Sequence, residues 1–269
     1  MTPSPSVRER AGVRVVSSSR IVRAKFRAVT LAGTLSPFAL AAATLVMAIG
    51  SACQASVGIG MALVAAPVLA LVEPRFIPGP MLLAGVLLAG ATAYRDRGSV
   101  NARGLGISFV GLAGGTLIGA FLLKALSGPM LSKVFGLVIM TAVAVSALAP
   151  PIEASSLTLF LGGGAAGIMG TMVGIHGPPI ALVFQHAPPA VARAMIGAFS
   201  VCAYVGAVLA LVAVGLFGPY ELSLAAILLP GVAAGLLAAP LLAGRIDRRR
   251  LRAAILLISA SSGAILLLR

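Results

Sequence analysis

Long apolar runs separated by short polar segments dominate the chain. The first run extends from residue 28 to residue 72 and is long enough for two passes through a bilayer. A helix needs about 20 residues to cross roughly 30 Å of hydrocarbon, and several later runs reach that length. Further spans are predicted at 79–94, 104–123, 130–149, 157–175, 193–216, 222–243 and 251–268. The pattern predicts an all-α integral membrane protein.

Two of these runs are interrupted by glycine and proline within the apolar sequence. The first break, residues 58–60, reads Gly-Ile-Gly, and the second break, residues 174–179, reads Gly-Ile-His-Gly-Pro-Pro. Both residue types weaken or end a helix. Each interruption therefore predicts a broken helix or a re-entrant hairpin.

The two halves of the chain carry the same parts in the same order. An offset of 116 residues superposes Val57-Gly58-Ile59 on Val173-Gly174-Ile175, and Gly115 and Gly119 on Gly231 and Gly235. A fixed register between two such motifs indicates gene duplication. The predicted organisation is a basic disordered tail (1–27), a first transmembrane repeat (28–149), a linker (150–155) and a second transmembrane repeat (156–269), with about four hydrophobic units in each repeat.

Charge changes the picture by indicating topology. Hydrophobic residues make up 59% of the chain and charged residues 10%, which excludes a soluble enzyme, a disordered chain and a nucleic-acid-binding domain. The net charge of +14 comes from short clusters at the ends of apolar runs, including residues 95–103 and 245–252. Such clusters mark cytoplasmic loops. Both clusters can be cytoplasmic only if the two repeats have inverted topology, as in many secondary transporters. The same count of membrane spans places the basic tail outside, although its positive charge favours the cytoplasmic side.

Acidic residues are absent from the predicted membrane interior. All six lie in tails or loops: Glu9, Glu73, Asp96, Glu153, Glu221 and Asp247. Intramembrane proteases and most cation-coupled carriers need ionisable groups at membrane depth, and an ATP-driven pump needs a phosphate-binding loop. We therefore expect no catalytic residues, no metal site and no cofactor.

The polar groups at membrane depth suit a small anion. A helix that starts inside the membrane presents backbone N–H groups and a positive dipole end. His176, in the second break, can donate a hydrogen bond to an anion or neutralise it, although a buried histidine is also commonly just a packed core residue. Residues 162–167 are interpreted as helix packing, and Arg193 as an interfacial anchor. The candidate substrate-binding residues are Gln54, Gly58, Gly60, Gly174, His176, Gly177 and Pro178.

Two hydrophobic units with glycine-rich breaks, each followed by a Gly-x-x-x-Gly span, resemble the TauE/SafE family of sulfite exporters and sulfonate permeases. The resemblance covers about residues 36–268. The second break is the closer match, with Gly174, Gly177 and Pro178-Pro179, although His176 stands where a small residue is usual; the first copy, residues 58–62 with Pro67 downstream, is more degenerate. The resemblance implies a multi-pass carrier of the bacterial inner membrane, whose partners are the lipid bilayer and a small sulfur-containing anion.

Other functions remain open at this stage. Within the carrier class, the substrate could be a carboxylate or sulfate. A non-transporting membrane scaffold or assembly protein needs no polar cavity and predicts that the two breaks lie apart. A membrane-embedded enzyme is disfavoured because no nucleophile is accompanied by a nearby base.

Overall fold

The computed structural model describes residues 35–57, 60–95, 102–126, 128–150, 152–242 and 247–268. This part of the chain forms ten α-helices and no strands. The predicted tail (1–27), Gly58 and Asp96 lie outside it. The helices are α1 (Pro37–Val57), α2 (Met61–Val72), α3 (Gly79–Arg95), α4 (Ala102–Ala125), α5 (Gly128–Leu148), α6 (Ser156–Val173), α7 (Gly177–Val183), α8 (Pro189–Ala213), α9 (Pro219–Leu242) and α10 (Arg248–Leu268).

Seven helices are long and apolar enough to cross a membrane: α1, α4, α5, α6, α8, α9 and α10. Each apolar run predicted from the sequence contains at least one of the ten helices. Within the first apolar run, the helix after the break is short: α2 has only 12 residues and spans about 18 Å. The proline-rich second break leaves α7 shorter still, with seven residues.

The outer surface of the helices is apolar. Between 22% and 50% of each candidate span is buried inside the protein, so most of the remaining surface faces outward. Large hydrophobic side chains occupy it, with exposed fractions of 58% to 80% for Leu137, Leu148, Leu157, Leu209 and Leu237. Water would disfavour so much exposed apolar area, whereas lipid tails solvate it. The protein is therefore a multi-pass membrane protein.

The short helix that follows each break packs against the long helix that precedes it. A Cβ added to Gly50 of α1 would lie 2.9 Å from the carbonyl oxygen of Met61, so α2 starts beside the last turns of α1. In the second half, a Cβ on Gly162 would lie 2.7 Å from Val183 and 3.4 Å from the Pro179 carbonyl. The short helix thus returns along the long helix that precedes it. Gly174 ends α6 in the left-handed conformation, with φ of 80°, which strongly favours glycine.

Packing between the halves follows a reciprocal pattern. The fourth helix of each half, α4 or α9, packs most extensively against the first helix of the other half, α6 or α1. Glycines permit the close approach: Gly115 lies against the Gly164 backbone, and Gly231 and Gly235 lie against the backbones of Thr44 and Ala48. Gly163 and Gly167 likewise face the α4 backbone. The packing interpretation of residues 162–167 is confirmed.

A proline inside α2 is compensated by a serine on α10. Pro67 has no N–H, so the carbonyl of Leu63, four residues earlier, loses its helical donor. The buried Ser259 hydroxyl lies 2.6 Å from this oxygen and 2.8 Å from the Ile255 carbonyl of its own helix. The hydroxyl therefore ties α10 to the short helix α2.

We expect Ser259→Ala to lower the stability by about 1 kcal/mol, because the buried Leu63 carbonyl loses its donor. Thermal unfolding in detergent measures the effect. Ser261→Ala is the matched control on the same helix, since its exposed hydroxyl bonds only to the Leu257 carbonyl. Equal unfolding temperatures for the two variants would contradict this role of Ser259.

Candidate substrate cavity

A cavity of about 920 Å³ lies among the helices. Its walls include the C-terminal turns of α1, α3, α5 and α9, the starts of α2 and α7, and the N-terminal parts of α8 and α10. These helix ends adjoin the loops at residues 96–101 and 243–247. The cavity is therefore located towards the end of the helix bundle that carries the two cation clusters.

Five of the seven predicted site residues line this cavity: Gln54, Gly60, His176, Gly177 and Pro178. Gly60 comes from the first break and the last three from the second break, so the cavity brings the two interruptions together. Gly174 does not line it; its added Cβ would meet the end of Met81 instead. Gly58 lies outside the described residues. No neighbouring atom comes within 4 Å of a Cβ added to Gly60 or Gly177, so both positions border open space.

His176 is the most enclosed polar residue of the cavity wall. It is 2% exposed, and neither ring nitrogen makes a hydrogen bond of normal geometry within the described residues. The carbonyls of Gly174 and Ala203 lie near the ring. Tyr204 packs edge-on against the imidazole, with ring centroids 4.7 Å apart. A buried nitrogen without a partner is costly, and a ligand in the cavity could supply that partner.

The two breaks accommodate their polar side chains differently. In the first half, Gln54 projects from α1, and its amide oxygen accepts a 2.6 Å hydrogen bond from the backbone N–H of Met61. The offset of 116 matches Gln54 to Gly170 and Gly60 to His176. A Cβ on Gly170 would clash with the His176 ring. In each matched pair, therefore, one residue is glycine and the other has a large side chain, Gln54 in the first pair and His176 in the second.

The charged residues that the structure describes in the cavity wall are three arginines. Arg95, Arg193 and Arg252 all line it, although Arg193 was expected to be an interfacial anchor and the other two were interpreted only as topology signals. Arg95 donates a 3.1 Å hydrogen bond to the carbonyl of Ala55, and Arg252 donates to that of Ser146. Both carbonyls lie in last turns of helices, where cations are favoured. No signal in the sequence separates such arginines from ordinary loop cations.

No acidic side chain among the described residues lines the cavity. Its other polar groups are neutral, and the arginines supply its charge. The polar and charged lining residues are Gln54, Ser56, Thr92, Arg95, Ser146, His176, Gln185, Arg193, Ser200, Tyr204 and Arg252. Such a lining supplies hydrogen-bond donors and positive charge, which suit an anion.

An ion pair lies at the opposite end of the helices. Arg75 forms a two-pronged ion pair with Glu73, with N–O distances of 2.7 and 2.8 Å, and also interacts with Tyr220 of α9. The guanidinium of Arg75 holds the pKa of Glu73 below its usual value. Phe217 lies against Gly79, where an added Cβ would come within 2.9 Å of its ring. None of these residues lines the cavity.

Comparison with known proteins agrees with this architecture. No curated protein and no solved structure matches the chain. The family model described as "Sulfite exporter TauE/SafE" matches residues 41–266, which include all ten helices except the ends of the first and last. The chain therefore belongs to the TauE/SafE sulfite exporter family.

Proposed function

We propose that this protein is a secondary transporter that carries a small anion, sulfite or an organosulfonate, by alternating access. The observation that carries the proposal is that residues of both breaks line one cavity whose described charged residues are all arginines. The family supports a membrane exporter of sulfur-containing anions. No acidic side chain among the described residues lines the cavity, which favours a cargo that is itself negative.

The repeats are proposed to have inverted topology, with boundaries at 28–149 and 156–269 and a linker between them. If each break is a re-entrant hairpin, each repeat crosses the membrane an odd number of times, through its three remaining helices, α3–α5 or α8–α10. The 17 residues of α3 are at the lower limit for a span. The second repeat then starts on the opposite side, and both cation clusters fall on one side. The reciprocal packing of α4 on α6 and of α9 on α1 is what two related repeats would produce.

The orientation follows from the cations. Loops rich in arginine face the cytoplasm. The cavity lies towards these loops, whereas none of the residues described at the Glu73–Arg75 end lines it. The structure would then represent the state that faces the cytoplasm, in a bacterial inner membrane.

The binding site is proposed to comprise Gln54, Gly58, Gly60, Gly174, His176, Gly177 and Pro178. Side-chain donors carry most of the binding, because Pro178 and Pro179 remove two N–H groups from the start of α7. Likewise, Gln54 already satisfies the N–H of Met61 at the start of α2. Among these seven residues, the side-chain donors are the Gln54 amide nitrogen and the His176 ring.

The test is uptake of labelled anions into liposomes that contain the purified protein, with and without a pH gradient. We expect saturable flux of sulfite or sulfoacetate, and none of a neutral control. If the protein preferred sulfate or a carboxylate, the proposed substrate would change, but the protein would still be a carrier. If the folded protein moved no anion, the carrier proposal would be overturned and a scaffold would be favoured. A scaffold, however, does not need a cavity that both breaks line.

His176→Ala tests the site within the same assay. The loss of one hydrogen bond to a charged ligand corresponds to roughly a tenfold to hundredfold rise in KM. The matched control is His186→Ala, since His186 is exposed and lies outside the cavity lining. If the affinity of the His176 variant were unchanged, the histidine would not be part of the binding site.

A further inference from the structure

We infer that Arg95, Arg193 and Arg252 form a one-sided capture site for the transported anion, at the cytoplasmic mouth of the cavity. The inference rests on the proposed function and assigns these residues a role in affinity. The three guanidinium groups come from different helices, α3, α8 and α10, and converge on one cavity.

Two of these arginines are held in place by backbone groups. Arg95 bonds to the carbonyl of Ala55, and Arg252 bonds to that of Ser146. A guanidinium has five N–H donors in a rigid planar fork, and a bond to a carbonyl uses one of them. A fixed guanidinium loses little side-chain freedom when a ligand binds, which favours affinity.

The matched positions at the opposite end carry no charge. The offset of 116 pairs Arg95 with Leu211, Arg193 with Ile77 and Arg252 with Gly136. Leu211 and Ile77 are buried, at 1% and 7% exposure. Gly136 packs against the backbone of Gly263 and Leu267.

This difference breaks the symmetry between the two sides. When the carrier opens to the opposite side, the equivalent wall offers apolar groups where the cytoplasmic wall offers arginines. An anion then binds more tightly from the cytoplasmic side, because the three arginines of the cavity raise its local concentration there. The arrangement suits capture at low concentration inside the cell and release outside.

The experiment measures KM from each side, in liposomes where the protein orientation has been determined. We expect single Arg→Gln substitutions at positions 95, 193 and 252 to raise the cytoplasmic-side KM about five- to tenfold, as for one charged contact in a solvated cavity. The KM from the other side should change less than about twofold. Arg→Lys should retain most of the affinity, and added salt should raise the wild-type KM.

Arg249→Gln is the matched control, since Arg249 is exposed, lies on α10 three residues before Arg252 and does not line the cavity. Equal KM values for this control and the three cavity variants would overturn the capture site while leaving the carrier intact. A rise in KM of equal size on both sides would overturn its one-sidedness. Thermal unfolding identifies a variant whose loss comes from misfolding, and the rise in the wild-type KM with salt, which should be larger from the cytoplasmic side, then supplies the test.

Discussion

We expect Gly170→Ala to reduce transport at least tenfold and to lower the unfolding temperature. The new Cβ would lie less than 3.0 Å from three atoms of the His176 ring, which is closer than Cβ atoms approach neighbouring atoms in real structures. The ring has little room to withdraw, because it is buried and Tyr204 packs against it at 4.7 Å. Such overpacking costs about 1–3 kcal/mol and would push the imidazole out of position. Initial rates of anion uptake and thermal unfolding in detergent measure the two effects.

A second substitution identifies the cause. In Gly170→Ala/His176→Ala the clash is gone, so the unfolding temperature should return close to that of His176→Ala alone, while transport stays low. Such non-additivity is typical of side chains in direct contact. Purely additive losses of stability would show that the clash is not responsible.

The helices were predictable because they depend on local properties of the chain. A run of about 20 apolar residues has few alternatives to a membrane helix. Ends were placed less well: α8 begins at Pro189, whereas the predicted span begins at residue 193. Proline is favoured in a first turn, where its missing N–H costs nothing, so Pro189 extends the helix through a segment whose hydropathy is weaker.

The cavity was predictable only in part. Gly60, His176 and Gly177 stood out because glycine, proline and histidine are unusual in an apolar run. Arg95 and Arg252 lie at helix ends, where a cation that faces a cavity and one that anchors a helix have the same sequence signature. Their role depends on which helices pack together.

Gln54 shows how chain reversal creates interactions that a linear pattern does not contain. Its amide oxygen receives the N–H of Met61, seven residues later, because α2 folds back on α1. The offset that matches Gln54 to Gly170 and Gly60 to His176 was nevertheless available in the sequence. In each matched pair, one residue is glycine and the other is large. The large side chain is Gln54 at the first break and His176 at the second, so the two breaks fill equivalent space from different positions.

The contact between the halves should be as sensitive as the cavity. We expect Gly115→Ala to lower the stability by about 3 kcal/mol or more, because its Cβ would overlap the backbone carbonyl of Gly164 on α6. A backbone atom cannot rotate away as a flexible side chain can, so α4 and α6 must separate and lose their close packing. Thermal unfolding in detergent measures the loss.

Gly114→Ala is the adjacent control, since Gly114 is exposed and no neighbouring atom lies within 4 Å of its added Cβ. Alanine is the better helix former, so this change should be neutral or slightly stabilising. The two variants share chemistry, helix and depth and differ only in the face on which the methyl group lies. Equal unfolding temperatures would mean that α4 and α6 do not pack through these glycines, and the reciprocal contact between the halves would have to be abandoned.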